Sequence, residues 1–98
     1  MQEKLVLLME WLIKQDYFDS NRDAQTIKLM EEVGELASGR ITGDKDLVKD
    51  SVGDIVVVLL SICHFYGFTF KEALDKAYED IKDREYIKND DGSWTRIK

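Results

Sequence analysis

No proline interrupts this chain anywhere along its 98 residues. Helical periodicity can therefore run unbroken for long stretches, because proline is the residue that removes a backbone donor and breaks a helix interior. Glycines become the main punctuation. Leu5, Leu8, Met9, Leu12 and Ile13 recur at helical spacing and predict a first helix from about Gln2 to Gln15. The polar stretch Asp19 to Asp23 predicts a turn, with Asp23 as a candidate cap for the next helix. A second helix should run from Ala24 to about Ser38, with Ile27, Met30, Val33 and Ala37 on one face and Gly39 at its C-terminal end. Arg40 to Asp44 is then a short connection. The third helix should span about Lys45 to Tyr66 and stop at Gly67. It is apolar almost all round after Asp54, which predicts burial within the domain or between subunits. Thr69-Phe70-Lys71-Glu72 matches a capping box for a fourth helix carrying Phe70, Leu74, Ala77, Tyr78 and Ile81. Beyond Glu85 the pattern changes. Asp91-Gly92 is a turn signal, and Tyr86-Ile87 and Trp94-Thr95 flank it at hairpin-like distance. The expected fold class is all-α, a four-helix bundle-like arrangement with a short C-terminal hairpin-like tail, forming one domain over residues 1–98.

Charge narrows the range of partners. Acidic residues exceed basic ones, giving a net charge of −6. That sign disfavours a nucleic acid polymer or a membrane surface, both of which call for a basic face. A small anionic ligand remains compatible if a divalent cation neutralises it. One cysteine, Cys63, cannot make an intrachain disulfide and is expected to be a small buried hydrophobe. The apolar run Ile55 to Cys63 is too short to span a bilayer, and the first residues lack a signal-type pattern. A cytoplasmic location is expected. A chain of this size buries only a modest core, so a homodimer or homotetramer is expected, with Ile55–Ile62 buried partly between subunits.

Two acidic stripes carry the candidate chemistry. Glu31, Glu32 and Glu35 fall within one arc of the second helix, together with Lys28. Three neighbouring carboxylates repel one another unless a cation joins them, and hard divalent cations take oxygen ligands. Taken alone, such a face can simply be solvated. The third helix adds Asp50 and Asp54, one turn apart, with Ser61 on the same face. Asp54 leads directly into Ile55, Val56, Val57, Val58, Leu59 and Leu60, where a carboxylate is costly unless paired or metal-bound. If the two helices pack antiparallel, the stripes can face each other.

The motif Glu-Glu-x-x-Glu in KLMEEVGELASG, followed by an acidic pair ending in Gly-Asp in KDSVGDIVVVL, resembles the MazG-like nucleoside triphosphate pyrophosphohydrolases. The C-terminal AYEDIKDREY with Asp-Gly-Ser-Trp is similar to the small, single-domain and phage-type members. The resemblance runs from about Ala24 to the end of the chain. It implies a MazG-type all-α fold and Mg²⁺-dependent hydrolysis of a nucleoside triphosphate to the monophosphate and pyrophosphate, with Mn²⁺ as a substitute metal. It implies Glu31, Glu32 and Glu35 as catalytic and metal-binding residues, with Asp54 and Asp50 completing the metal set. One departure stands out. The second motif of the family is usually Glu-x-x-Asp, and counting back three from Asp54 gives Ser51. Asp50, four back, is the nearest acid. The exchange points to lower metal affinity, a different number of metals, or a water in place of the missing ligand.

Substrate-binding candidates are Lys28, Lys82, Arg84 and Trp11. Lys28 sits one turn before Glu32 and either meets phosphate or pairs with Glu31 or Glu32. Lys82 and Arg84 either meet phosphate or merely favour the helix C-terminus. Trp11 either stacks on a base or belongs to the core. His64 lacks the Glu-x-x-His partners of a di-iron site and is taken as structural. The competing reading is a non-catalytic acidic helical domain for oligomerisation or protein interaction. A Ca²⁺ module is disfavoured because neither Asp44–Asp54 nor Asn89–Gly92 has EF-hand spacing. A helix-turn-helix DNA reader is disfavoured by charge.

Overall fold

The computed structural model describes residues 2–15 and 22–98. It contains α1 (Gln2–Lys14), α2 (Arg22–Thr42), α3 (Lys45–Phe65), α4 (Phe70–Ile81), β1 (Tyr86–Lys88) and β2 (Trp94–Arg96). The fold is mostly helical with a two-stranded C-terminal hairpin, as the periodicity predicts. Of the turn expected over Asp19 to Asp23, residues 19–21 lie outside the described residues, and Arg22 and Asp23 belong to α2. Asp23 falls inside α2 rather than capping it.

Local chemistry sets each boundary. Gly39 does not end α2, contrary to expectation. The helix continues to Thr42 and turns at Gly43, whose φ of +76° suits glycine alone. Gly39 is instead buried against α3. A Cβ built there would stand 3.1 Å from the Val48 side chain and 3.3 Å from that of Leu47. Its lack of a side chain thus allows close helix packing. Asp44 then caps α3, its side chain accepting from the Leu47 amide at 3.1 Å. Gly67, again at φ +76°, closes α3. Thr69 caps α4 by accepting from the Glu72 amide at 3.0 Å. In the tail, Ile87 pairs with Thr95 in an antiparallel register. Gly92 supplies the positive φ of the turn. The Asp91 side chain accepts from Ser93, which holds its carboxyl below the usual range.

Only Gly43 and Asp44 separate α2 from α3, and the two helices pack along their length, so they form an antiparallel hairpin. α1 lies on α3. Leu12 and Leu60 make the core there, with Leu5, Leu8, Met9, Val56, Val57 and Phe70 packed around them. Among the described residues, α4 packs chiefly on α3. Cys63 is buried, as expected, and burial pushes its thiol pKa up.

The hairpin seam departs from the expected pattern. Ile27, Met30 and Val33 are 56, 70 and 49% exposed, and Ala37 is exposed too. Among the described side chains of α2, Gln25, Glu32 and Gly39, spaced seven apart, are buried. Ser51 and Ser61 of α3 are buried as well. α2 therefore turns a polar stripe toward α3 and its apolar stripe outward. Ile55–Ile62 is buried or half-buried within the chain itself. No single helix among the described residues is long and apolar enough to cross a membrane.

Candidate active site

The antiparallel hairpin brings the two acidic stripes together. Gly39 opposite Val48 sets the register, and one turn further from the hairpin tip Glu35 comes within electrostatic reach of Asp54. Glu32 sits one turn behind Glu35 on the α3-facing seam. It is 4% exposed. One of its oxygens, Oε1, receives the Lys28 ammonium at 3.1 Å. The other, Oε2, is buried with no hydrogen-bond partner in the protein. A buried carboxylate oxygen left without a donor is costly, by about 1–3 kcal/mol or more for a charged group. It is also an acceptor ready for a cation.

Glu35 is exposed, and its pKa is raised above its ordinary 4.5. The largest cause is the negative charge of Glu32. Desolvation and a hydrogen bond with Glu32 add to it, Lys28 opposes it, and Asp54 contributes in the same upward sense. Two carboxylates cannot both ionise freely at short range. The sign of the consequence follows. A carboxyl whose folded pKa is raised binds its proton more tightly in the folded state. The associated stability is fully present below 4.5 and is lost as pH rises through the higher folded value. Metal-free Glu35→Gln should therefore be more stable than the unmodified chain near neutral pH, and the gap should close as pH falls toward 4.5. Urea denaturation across that range checks this; a gap that stays constant with pH would remove Glu35 from the cluster.

The remaining candidates are placed unevenly. Glu31 and Asp50 are exposed on the flanks of the two stripes. Lys28 makes the salt bridge with Glu32 and so already stands at the cluster. Trp11 is 51% exposed and is not core. It lines an open groove of about 520 Å³ between α1 and α3, together with Lys4, Leu7, Leu8, Asp54 and Val57. Asp54 thus belongs both to the acidic cluster and to an apolar, aromatic-walled groove. Lys82 pairs with Glu79 at 2.8 Å. The Arg84 Nε is buried without a hydrogen-bond partner in the protein. Both lie just beyond α4, and among the described residues α4 makes no contact with α2, so the two are not brought to the glutamates there. Ser51, at the position of the missing family glutamate, is 1% exposed, with its hydroxyl unpartnered in the protein. Lys4 is the site residue that sequence reasoning missed. α1 shows only apolar periodicity, and nothing local marks which of its charges will face Asp54.

The donor set fits a hard divalent cation in kind: carboxylate oxygens, one of them buried and unpartnered, with mutual repulsion that a cation relieves. Among the described residues, no three acidic, histidine or cysteine side chains stand close enough together to make a ready cation cage. Carboxylate rotamers would have to turn inward to share an ion.

An all-α helical hairpin carrying acidic residues on both helices, beside a groove lined by Trp11, is the architecture in which the family of the chain is read. The family model of the MazG nucleotide pyrophosphohydrolase domain matches residues 20–86, about two thirds of the chain. The chain belongs to the MazG nucleotide pyrophosphohydrolase family. It is also similar to an uncharacterized 18.2 kDa protein of the rep-hol intergenic region of Haemophilus phage HP1 (strain HP1c1). The two are 52% identical over 42 residues, which is 43% of this chain and 26% of that protein. The chain thus aligns with about a quarter of the length of that curated relative. No solved structure matches.

Proposed function

We propose that this chain hydrolyses a nucleoside triphosphate between the α- and β-phosphates, releasing the monophosphate and pyrophosphate, with Mg²⁺ as cofactor and Mn²⁺ as a substitute. The observation that carries the reading is the buried, unpartnered Oε2 of Glu32 beside Glu35, with Asp54 within electrostatic reach of Glu35 across the α2–α3 hairpin. Glu32, Glu35 and Asp54 would hold the metal, with Glu31 and Asp50 at its margin. Bound there, a divalent cation neutralises phosphate charge and lowers the pKa of coordinated water. The rest of the chemistry falls to side chains. Glu35, an exposed carboxylate beside Glu32, is the residue proposed as general base. It takes a proton from the attacking water as the water oxygen joins one phosphorus. The bridging P–O bond breaks, and its electron pair leaves with the departing phosphate group. Lys28 neutralises Glu32 and lies where it can meet a phosphate oxygen. Trp11, half-exposed in the groove beside Asp54, offers a face on which a base can stack.

A panel of nucleoside triphosphates assayed for pyrophosphate release tests this. The expected result is Mg²⁺-dependent release from at least one substrate, with Mg²⁺ also raising the melting temperature of the substrate-free protein. A folded protein inert toward every common and modified nucleoside triphosphate, and unmoved by the metal, would leave the non-catalytic interaction domain as the better account.

A further inference from the structure

Ser51 holds the position at which this chain departs from the acidic pattern of its family, and the fold shows what surrounds the exchange. Leu47 and Val48 of α3 approach Gly39 of α2. Ser51 follows them by four and three residues, so it continues the row of α3 that packs on α2. It is 1% exposed. In an antiparallel hairpin, the next turn of α3 beyond that contact lies opposite the preceding turn of α2. That turn of α2 carries Glu35, with Glu32 three residues further back. Asp54 is three residues on from Ser51 and within electrostatic reach of Glu35. Ser51 therefore stands in the helix seam at the level of the acidic cluster. Asp50 does not substitute for a carboxylate there. It lies about 100° further round the helix, and it is exposed.

The hydroxyl is the second observation. A serine inside a helix commonly satisfies its hydroxyl on the carbonyl four residues back. Ser51 Oγ is buried and, among the described residues, has no hydrogen-bond partner. The same holds for Oε2 of Glu32. A buried polar atom left without a partner is costly, and an ordered water or an ion is its usual remedy. Water alone would satisfy the hydroxyl but would leave Glu32 and Glu35 repelling each other. A hydrated divalent cation answers both needs, because Mg²⁺ bound by few carboxylates keeps several of its waters. The Ser61 hydroxyl is also buried and unpartnered among the described residues, but it lies ten residues along α3 from Ser51. Without a carboxylate at 51, Glu32, Glu35 and Asp54 are the acids of this level of the seam, and Lys28 already pairs with the first of them. The two negative charges that remain match a single divalent ion.

We infer that Ser51 is an outer ligand of the proposed cation, its hydroxyl hydrogen-bonded to a water of the ion where the family has a carboxylate, and that the substrate-free chain holds one such ion. The inference rests on the metal part of the proposed function and is independent of the substrate and of the general base. Ser51 is thus a positioning residue. Partners of this outer kind commonly change metal affinity about ten- to a hundredfold.

Titration of the substrate-free protein with Mn²⁺, followed by electron paramagnetic resonance, counts bound ions without any turnover. The unmodified chain should bind one Mn²⁺. Ser51→Ala should keep that stoichiometry and bind about tenfold more weakly. Its thermal stability without metal should hold or rise, since the exchange removes a buried, unpartnered hydroxyl. Ser51→Cys is close to serine in size and brings a soft ligand to the same place. It should take up Cd²⁺ and show a thiolate-to-cadmium charge-transfer absorption. The unmodified chain, with Cys63 buried, should not show it. One Mn²⁺ per chain with this dependence on Ser51 supports the inference even in a protein that hydrolyses no nucleotide. Two or more ions on the unmodified chain overturn it. So does a folded Ser51→Ala variant that binds Mn²⁺ as tightly as the unmodified chain, or a folded Ser51→Cys variant without the cadmium band. An unmodified chain that binds no Mn²⁺ overturns both this inference and the metal reading on which it rests.

Discussion

Glu35→Gln should hydrolyse its best nucleotide substrate about a hundredfold or more slowly than the unmodified chain, the scale of losing a general base or a preorganised electrostatic contact. Glutamine keeps the size and the hydrogen-bonding outline of the side chain but cannot accept a proton from water. The fold should survive. The exchange removes one of the carboxylates whose mutual repulsion raises the pKa of Glu35, so the metal-free variant should be at least as stable. Lost turnover together with undiminished stability is the signature of a catalytic position, since a structural residue would lose both. Steady-state pyrophosphate release and urea denaturation, run on the same preparations, read the two halves. An active variant would transfer the role of base to Glu32 or Glu31 and leave the enzyme assignment standing.

Leu12→Ala should have the largest effect on stability, about 2–5 kcal/mol. Leu12 is fully buried and, with Leu60, forms the core that holds α1 on α3. Among the described residues, α3 is the helix that α1 packs along, with Phe70 at the start of α4 beside their core. Truncation leaves a void that a single helix contact cannot refill, and total stabilities of small domains are only about 5–15 kcal/mol. α1 should detach before the α2–α3 hairpin unfolds, as a low-stability unit. Hydrogen exchange should then accelerate in Gln2–Lys14 first. Because Trp11 and Lys4 line the groove beside Asp54, KM for the nucleotide should rise more than kcat falls. Unchanged exchange in α1 would mean that some other contact secures this helix.

These outcomes separate what a chain like this one reveals in one dimension from what it does not. The four helices, the cap at Thr69, and the turn at Asp91-Gly92 were legible because each depends on residues close in sequence. The acidic motif was legible for the same reason: Glu31, Glu32 and Glu35 are neighbours on one helix whatever that helix packs against. The limits appear wherever a helix must choose a partner. Gly39 reads as a helix end, but the close approach of Val48 makes it a packing position inside α2. The stripe of Ile27, Met30, Val33 and Ala37 reads as a core face. Periodicity reports that a helix has an apolar side and is silent on whether that side meets its own chain. In this fold α3 takes the polar seam, which buries Glu32 and leaves the apolar stripe outside. Lys4 and Trp11 join Asp54 only because α1 folds back onto α3, and Lys82 and Arg84 stay apart because α4 does not reach α2. Local spacing along the sequence therefore determined the helices and the carboxylates they display. Tertiary packing alone decided which carboxylate lost its solvent, which groove adjoined it, and which apolar face remained exposed, because burial depends on what lies opposite a residue and not on what lies beside it in the chain.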